Sequence, residues 1–280
     1  MLNKDRGSRI SGFFIYLIMA FFTVLAIYPI LWLIIQSFKT TQEYLTTSKM
    51  AFPKTWFPGN YPYTWQIGKF GILMLNSIFY TAVTVAAVVV LGFMAGFAFA
   101  KIKVRITPFL HGIFIVGILL TLQSIMVPLF LMVNAVGLYD TRLGILIPYI
   151  GIGLPMGVYL STEYIRSIPE ALIESARLDG AKYLRIFISI IFPMTLPAAM
   201  TVGILTFTGT WNEFMLINIL ASSDTIKSIP VGINRFSGAL ASDYGKQFSA
   251  LTIGLLPMLL FYLIFRKQIT RGAAAGAVKG

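Results

Sequence analysis

The sequence of 280 residues contains no cysteine and a single histidine, His111. Without thiols the chain cannot form disulfides, hold an iron–sulfur cluster or build the thiolate zinc sites that need several cysteine ligands. Cysteine–histidine catalysis is excluded for the same reason. We therefore predict no metal site, and we interpret His111 as a residue near one end of a helix.

Charged residues are also scarce. They make up 11% of the chain, against about 25% in a typical soluble domain, while the mean hydropathy is +0.82. Since nothing shows the alternation typical of a membrane β-barrel, membrane-spanning segments must be helices. We predict an all-α polytopic membrane protein with six transmembrane helices, because six stretches lack Asp, Glu, Lys and Arg and reach the roughly 20 residues that cross a bilayer: Ile10–Phe38, Phe70–Ala100, Ile106–Tyr139, Leu143–Thr162, Ile186–Asn212 and Gln247–Phe265.

The motifs of several other protein classes are missing. Neither Gly68-Lys69-Phe70 nor Gly245-Lys246-Gln247 completes the phosphate-binding sequence G-x-x-x-x-G-K-[ST], so the chain does not bind ATP by a P-loop. No carboxylate pair, metal cluster or histidine-based constellation lies at one depth, which makes an enzyme the least favoured interpretation. The absence of Asp, Glu, Lys and Arg inside the spans disfavours an ion-coupled transporter.

The distribution of lysine and arginine predicts the orientation, because short cytoplasmic loops carry an excess of these residues. We expect both termini to be cytoplasmic. This orientation and contact with anionic membrane lipid largely explain the net charge of +12, and we expect no nucleic-acid partner. It places 14 of the 22 cations inside: Lys4, Arg6, Arg9, Lys101, Lys103, Arg105, Arg166, Arg177, Lys182, Arg185, Arg266, Lys267, Arg271 and Lys279.

Mildly polar residues within the spans are candidates for lining a solute pathway. Gln123 and Ser124 lie midway along span three, and Thr201, Thr206, Thr208 and Thr210 lie along span five. For any single residue, interhelical hydrogen bonding or packing is the simpler interpretation. We predict that at least one of Gln123, Ser124, Thr201 and Thr208 contacts the solute.

Glycine and proline mark two further features of the spans. Gly92 and Gly96 form a small-xxx-small pair, which indicates close helix packing. Span four is rich in helix-breaking residues between Ile147 and Gly157. Non-helical backbone at this depth survives only where protein or a wet cavity covers it, so span four is a candidate for the translocation route.

Two longer segments are expected outside the membrane. Residues 37–71 contain several aromatic residues and prolines, including Trp56 and Pro58, which predicts a folded aromatic cap at the interface. Residues 217–246 form a polar loop that could meet an external protein or serve as a solvated connector.

A polar unit, residues 166–186, separates spans four and five, and we call it the elbow. Ser167 and Glu170 have the spacing of a capping box, and Pro169 is tolerated in a first helical turn, so a short helix should start here. Gly180 supplies the left-handed conformation that ends helices. The sequence therefore predicts a helix–turn–helix.

The elbow resembles the EAA signature of ABC-importer permeases, which is Glu-Ala-Ala, three residues, Gly, nine residues, Ile, one residue and Leu-Pro. Ser175 replaces the first alanine and Phe192 replaces the leucine, and neither change disturbs the turn. Trp211-Asn212-Glu213-Phe214 and the terminal residues 276–280 extend the resemblance over most of the chain, which is similar to the maltose-type carbohydrate permeases. Five positions of the signature match in register: Glu174, Ala176, Gly180, Ile190 and Pro193.

The resemblance implies a type I ABC importer permease, with residues 1–280 as a single, non-catalytic transmembrane domain that binds no cofactor. Two cytoplasmic ABC ATPase subunits would bind ATP and Mg, and each would receive one elbow in a groove. A second permease subunit, in a heterodimer, and an extracellular or periplasmic solute-binding protein would complete the importer in a bacterial or archaeal cytoplasmic membrane. The implied ATPase-docking residues are Glu170, Glu174, Ala176, Asp179, Gly180 and Ala181.

The expected solute is a sugar or oligosaccharide. The elbow does not distinguish such an importer from one for a polyamine, a peptide or an anion. A secondary transporter or channel is the alternative from another class, and both the elbow and the uncharged spans disfavour it. The predicted span boundaries are 12–36, 72–100, 107–133, 144–163, 187–213 and 247–266.

Overall fold

The computed structural model of the chain describes residues 4–102, 104–236 and 243–277, with side chains described between residues 12 and 269. The predictions for Lys103, for the loop residues 237–242 and for the terminal residues 278–280 fall outside the described residues. Within the described ranges every regular element is a helix, as predicted: α1 Lys4–Gln36, α2 Thr41–Thr46, α3 Asn60–Ile67, α4 Phe70–Lys101, α5 Thr107–Leu119, α6 Leu122–Ala135, α7 Arg142–Arg166, α8 Glu170–Leu178, α9 Tyr183–Ile186, a π-helical turn Phe187–Ile191, α10 Phe192–Met194, α11 Leu196–Trp211, α12 Met215–Leu220, α13 Ile229–Asn234 and α14 Tyr244–Ala277.

Four of the described helices, α1, α4, α7 and α14, are long and apolar enough to cross a membrane. Two bent pairs of helices are also long and apolar enough when each pair is taken together: α5 with α6, bent by 108°, and the helix over Tyr183–Met194 with α11, bent by 78°. If each bent pair is one span, the structure has the six predicted spans. Spans three and five are therefore broken, which the sequence did not predict.

The two breaks have local causes. Between α5 and α6, Leu120 and Thr121 adopt extended backbone with ψ of 118° and 144°. Before α11, Thr195 has ψ of 3° and Pro197 follows in the first turn. Proline has no backbone N–H and its ring clashes with the carbonyl four residues earlier, so Pro197 favours a break in the helix that precedes α11.

Span four is a continuous helix, α7, and the prediction of non-helical backbone there is wrong. The helix passes through Pro148 and Pro155. Its glycines allow close packing instead, because a Cβ at Gly153 or Gly157 would come within 2.8 or 2.9 Å of the Val88 side chain on α4.

The packing predicted for Gly92 and Gly96 is confirmed. A Cβ at Gly96 would overlap Ser161 Oγ of α7, and a Cβ at Gly92 would lie 3.2 Å from the Gly157 backbone. Ser161 Oγ also donates a hydrogen bond to the Gly92 carbonyl at 2.8 Å. Helices α4 and α7 thus form a tightly packed pair.

The chain divides into two compact units, residues 1–70 with 232–257 and residues 71–231 with 258–280. The second unit contains two clusters of buried apolar side chains. One cluster surrounds Phe93 and Phe97 of α4 and includes buried residues of the elbow, and the other joins Tyr80 of α4 to α12.

The segment predicted as an aromatic cap is folded, within the first unit. The Tyr44 ring lies 5.1 Å from the Phe248 ring. Asn60 Nδ2 donates hydrogen bonds to the carbonyls of Ser37 and Lys39, both at 2.8 Å. Rings and a buried amide therefore hold the segment to the ends of the neighbouring helices.

Candidate functional site

The predicted helix–turn–helix of the elbow is confirmed, with α8 and α9 joined by residues 179–182. Its start differs from the prediction. Ser167 is the C-cap of α7, and its Oγ donates a hydrogen bond to the Tyr164 carbonyl at 2.7 Å. No side chain caps α8, which Pro169 precedes. The capping box of Ser167 with Glu170 is wrong, because the end of α7 already uses the hydroxyl.

Helix α8 has one buried face and one exposed face. Ile173 and Ala176 are 5% and 8% exposed and belong to the apolar cluster around Phe97. The opposite face carries exposed acidic residues. The carboxylates of Glu174 and Asp179 have no hydrogen-bond or ion-pair partner among the described residues. These charges are therefore available to a partner.

The turn after α8 is a Schellman motif. Gly180 has φ of +80°. The amide of Ala181 donates to the Ala176 carbonyl and the amide of Gly180 donates to the Arg177 carbonyl, both at 3.0 Å. These two bonds satisfy carbonyls that a helix end otherwise leaves unpaired. A Cβ at Gly180 would meet nothing within 4 Å, so only the backbone conformation restricts this position.

The elbow is anchored to α4 and to the following helix. Lys101 Nζ, at the end of α4, donates a hydrogen bond to the Ile168 carbonyl at 2.6 Å. The Phe97 and Phe187 rings lie 5.7 Å apart, and Ile186 is fully buried. Because α7 leads directly into the elbow, a force on α8 would be transmitted to α4, α7 and α11.

The six predicted docking residues thus separate by exposure. Ala176 is buried and holds α8 against the core, and Ala181 is half-buried. The docking role itself stays a prediction. The exposed members of the set are Glu170, Glu174, Asp179 and Gly180.

A cavity of about 280 Å³ lies among residues of α7, α11 and the start of α6. Its polar lining residues are Tyr149, Thr206, Thr210 and Glu213. Thr206 and Thr210 lie on one face of α11, since residues four positions apart align on an α-helix, and Glu213 follows just beyond the end of that helix. Hydroxyl and carboxylate groups suit a solute that carries several hydroxyl groups.

Glu213 is fixed by hydrogen bonds at the end of α11. Tyr149 Oη donates to Glu213 Oε2 at 2.7 Å. The amides of Leu216 and Ile217, in the first turn of α12, donate to the same carboxylate at 2.7 and 3.1 Å. One side chain therefore links α7 with the start of α12 at the cavity wall.

None of the four predicted pathway residues is among the residues that line this cavity; the amide of Gln123 instead contacts Met215 Sδ at 3.9 Å. Thr201 and Thr208 donate hydrogen bonds to carbonyls four residues earlier in their own helix, at 3.2 and 2.8 Å. Gln123 and Ser124 are exposed near the start of α6. That at least one of the four contacts the solute stays a prediction; for Thr208, whose hydroxyl bonds within its own helix, packing is the simpler interpretation.

Sequence reasoning missed Glu213 because it lies one residue beyond the uncharged run that ends at Asn212. A usable signal was present in the spacing of Thr206, Thr210 and Glu213. Extending the helical periodicity past the run would have placed the carboxylate on the same face as the two threonines.

Residues 221–231, which we call the 221–231 segment, are held by hydrogen bonds rather than left as a solvated connector. Asp140 Oδ1 accepts from the amides of Ser222 and Ser223 at 2.7 and 2.8 Å and from Ser223 Oγ at 3.0 Å. The hydrogen bond from the Ser223 amide, with the other two, lowers the pKa of Asp140 from its usual value, against the opposite effect of burial.

Side chains of α4 hold the other end of the segment. Asn76 and Tyr80, both buried, donate to its carbonyls, and Ser77 accepts from one of its amides. Buried backbone groups of the segment are thereby satisfied. The contacts are Asn76 Nδ2 to the Thr225 and Lys227 carbonyls at 2.8 and 3.0 Å, Tyr80 Oη to the Ile226 carbonyl at 2.8 Å, and the Ile229 amide to Ser77 Oγ at 2.9 Å.

Comparison with known families gives a match over residues 88–272, well over half of the chain. The matching family is described as "Binding-protein-dependent transport system inner membrane component". The match includes the whole elbow and every residue that lines the 280 Å³ cavity.

Two relatives align along nearly their whole length. The multiple sugar-binding transport system permease protein MsmG of Streptococcus mutans serotype c is 31% identical, over 98% of this chain and 99% of that protein. The trehalose transport system permease protein SugB of Mycobacterium tuberculosis is 32% identical, over 91% of this chain and 93% of that protein.

Solved structures share the fold. The crystal structure of a bacterial ABC transporter involved in the import of the acidic polysaccharide alginate contains a chain with a TM-score of 0.79 and 22% identity, covering 95% of this chain and 99% of that one. A chain of the MetNI methionine ABC transporter gives a TM-score of 0.59 at 14% identity, over 75% of this chain and 97% of that one.

Proposed function

The chain belongs to the family of inner membrane components of binding-protein-dependent transport systems, and we propose that it is the permease subunit of an ATP-driven carbohydrate importer. The names of MsmG and SugB support a carbohydrate as the solute. In this proposal an external solute-binding protein delivers a sugar or oligosaccharide. A second, different permease subunit completes the pathway across a bacterial or archaeal cytoplasmic membrane.

The observation that carries the proposal is the geometry of the elbow. Apolar side chains and a Schellman turn hold helix α8 in place. The carboxylates of Glu174 and Asp179 have no hydrogen-bond or ion-pair partner among the described residues. A short amphipathic helix that enters a groove is a recurrent mode of protein recognition. We assign this surface to a cytoplasmic ABC ATPase subunit, with one elbow for each of two ATPase subunits.

Coupling follows from how the elbow is anchored. Lys101 and the Phe97–Phe187 contact tie it to α4, and the chain continues from it into α7 and α11. Closure of the ATPase pair would therefore move packed helices as rigid bodies rather than bend one loop. ATP and Mg are bound by the ATPase subunits in this proposal, and this chain is a non-catalytic membrane subunit.

The cavity of Tyr149, Thr206, Thr210 and Glu213 is the proposed contribution of this chain to the solute pathway. Sugar hydroxyl groups can donate to the carboxylate and exchange hydrogen bonds with the threonines. The binding is expected to be weak, because a transported solute must leave as well as enter.

Two threonines of α11 provide a matched test of that pathway. Thr206→Val removes a hydroxyl from the cavity wall, whereas Thr208→Val removes one that bonds within the helix. We expect the first change to reduce the uptake of a labelled oligosaccharide at constant ATPase activity and the second to have little effect. Equal uptake by both variants would mean that the cavity does not contact the solute and serves only helix packing.

The class of transporter is tested with the assembled complex in vesicles. We expect uptake of labelled di- and oligosaccharides to require internal ATP and the binding protein and to survive an ionophore. Uptake that proceeds without ATP and collapses with the ion gradient would instead establish a secondary transporter.

A further inference from the structure

A second cavity, of about 510 Å³, lies where α4 ends, α5 begins and α7 ends. It is distinct from the 280 Å³ cavity and shares no lining residue with it. Most of its wall is apolar, but it also includes a hydroxyl, an imidazole and a guanidinium group. The lining residues are Phe99, Ala100, Ile102, Val104, Thr107, Pro108, His111 and Arg166.

His111 contributes a buried polar group to this wall. The residue is 8% exposed, and its ring lies 5.6 Å from the Phe99 ring. Its Nε2 atom is buried without a hydrogen-bond partner among the described residues. Buried polar groups are nearly always paired, so an unpaired one beside a cavity points to a ligand.

The surroundings favour an anion. Arg166 lines the cavity and forms an ion pair with Glu163, at 2.6 Å, in which both side chains are about half exposed. Lys101 and Arg105 flank the lining residues in sequence.

The apolar part of the wall identifies the kind of anion. Phe99, Ile102 and Val104 would contact hydrocarbon, which a free phosphate does not have. The cavity also lies at the ends of α4 and α7, two helices long and apolar enough to cross a membrane, on the side predicted to be cytoplasmic. Basic pockets between transmembrane helices on that side suit the headgroups of anionic lipids.

We propose that this cavity binds the phosphate headgroup of an anionic membrane lipid. Arg166 donates to the phosphate, and the imidazole of His111 donates after its ring turns toward the cavity, since Nε2 is covered in this structure. Glu163 competes with the phosphate for Arg166. The site adjoins the start of the elbow, because Arg166 directly precedes Ser167.

The test measures lipid retention, which does not depend on the transport proposal. The full complex is purified from membranes and exchanged into mixed micelles of phosphatidylglycerol and phosphatidylcholine, and the bound lipid is measured by mass spectrometry. We expect Arg166→Gln to lower the retention of phosphatidylglycerol about fivefold, the effect of about one basic residue near a membrane surface. His111→Phe, which keeps the contact with Phe99, should lower it less.

Two further variants guard against misfolding as an explanation. Lys267→Gln removes a positive charge outside the cavity on the same predicted side and should leave retention unchanged. Glu163→Gln releases Arg166 from its ion pair and should raise retention. A gain of binding cannot result from loss of structure.

Several results would overturn the proposal. The proposal is wrong if Arg166→Gln and Lys267→Gln retain the same amount of phosphatidylglycerol. It is also wrong if Glu163→Gln does not raise the retention of this lipid. If inorganic phosphate stabilised the complex against heat as strongly as a short-chain phosphatidylglycerol does, the ligand would be a free anion and not a lipid.

Discussion

The elbow and the 221–231 segment both bury apolar side chains in the second unit, yet they differ in how their polar groups are used. Ile173 and Ala176 seat the elbow, while its carboxylates Glu174 and Asp179 have no partner among the described residues. The 221–231 segment buries Ala221, Ile226 and Val231, and in addition Asp140 at one end and Asn76 at the other use its backbone hydrogen-bonding groups internally.

This difference separates two functions. A surface that docks a partner must keep its charged groups unpaired in the free subunit while its backbone stays rigid. A segment whose polar groups are already satisfied adds rigidity but offers fewer groups to a partner. We therefore assign recognition of the ATPase to the elbow and a stabilising role to the 221–231 segment.

The largest expected effect breaks the elbow while the 221–231 segment stays intact. Gly180→Val places a β-branched residue at φ of +80°, which costs about 1–3 kcal/mol and displaces α8. We expect the complex to lose its ATPase during purification, with normal membrane insertion. ATPase retention is measured by quantitative gel analysis of the tagged permease.

A control at the same position isolates the cause. Gly180→Asn also adds a side chain, but asparagine tolerates the left-handed region, and a Cβ here meets no atom within 4 Å. It should retain most of the ATPase. Equal loss in both variants would show that the turn conformation is not what matters.

A smaller effect is expected from a substitution that disturbs the 221–231 segment and leaves the elbow intact. Asn76→Ala removes the donors to two partly buried carbonyls, at a cost of about 1 kcal/mol in stability for each lost hydrogen bond. The melting temperature in detergent should fall, and ATPase retention should not. If Asn76→Ala lost the ATPase while its melting temperature stayed unchanged, the stabilising role assigned to the 221–231 segment would be wrong.

The smallest expected effect depends on pH. Because hydrogen bonds lower the pKa of Asp140 in the folded state, they stabilise the fold above the ordinary aspartate pKa of about 3.9. That contribution is lost as the pH falls through the lowered pKa. Asp140→Asn keeps a residue that tolerates φ of +58° and removes the charge, so its stability should vary less with acid pH.

The measurement is chemical denaturation of the purified subunit between neutral pH and about pH 3. The wild type should lose more stability than Asp140→Asn over the acid part of this range. Parallel curves would mean that the carboxylate does not stabilise the 221–231 segment through its charge.

The sequence predicted the features that local chemistry determines. Runs without charge predicted the six apolar segments, four of which are single long helices and two of which are bent helix pairs. The Gly180 turn and the Gly92–Gly96 contact were correct because each depends on a missing Cβ. One failure involves competition between two neighbouring helix ends for the same residue. Ser167 could cap either of two helices, and the end of α7 obtained it.

Long-range contacts explain the remaining differences. The glycines of α7 suggested a broken helix, but Val88 of α4 fills the space beside them and the helix continues. The cavity around Glu213 is also lined by Tyr149, which lies 64 positions away in the chain. No local sequence pattern predicts a contact between these two residues. Such contacts need the three-dimensional structure.

The central claim, that the elbow docks an ATPase, is tested most directly by crosslinking. The chain has no cysteine, so Glu174→Cys introduces its only thiol, on the exposed face of α8. In the assembled complex a short thiol-to-amine crosslinker should join this position to the ATPase, whereas Thr225→Cys in the 221–231 segment should give no ATPase adduct. A crosslink from Thr225→Cys, or none from Glu174→Cys in a complex that retains its ATPase, would contradict the account.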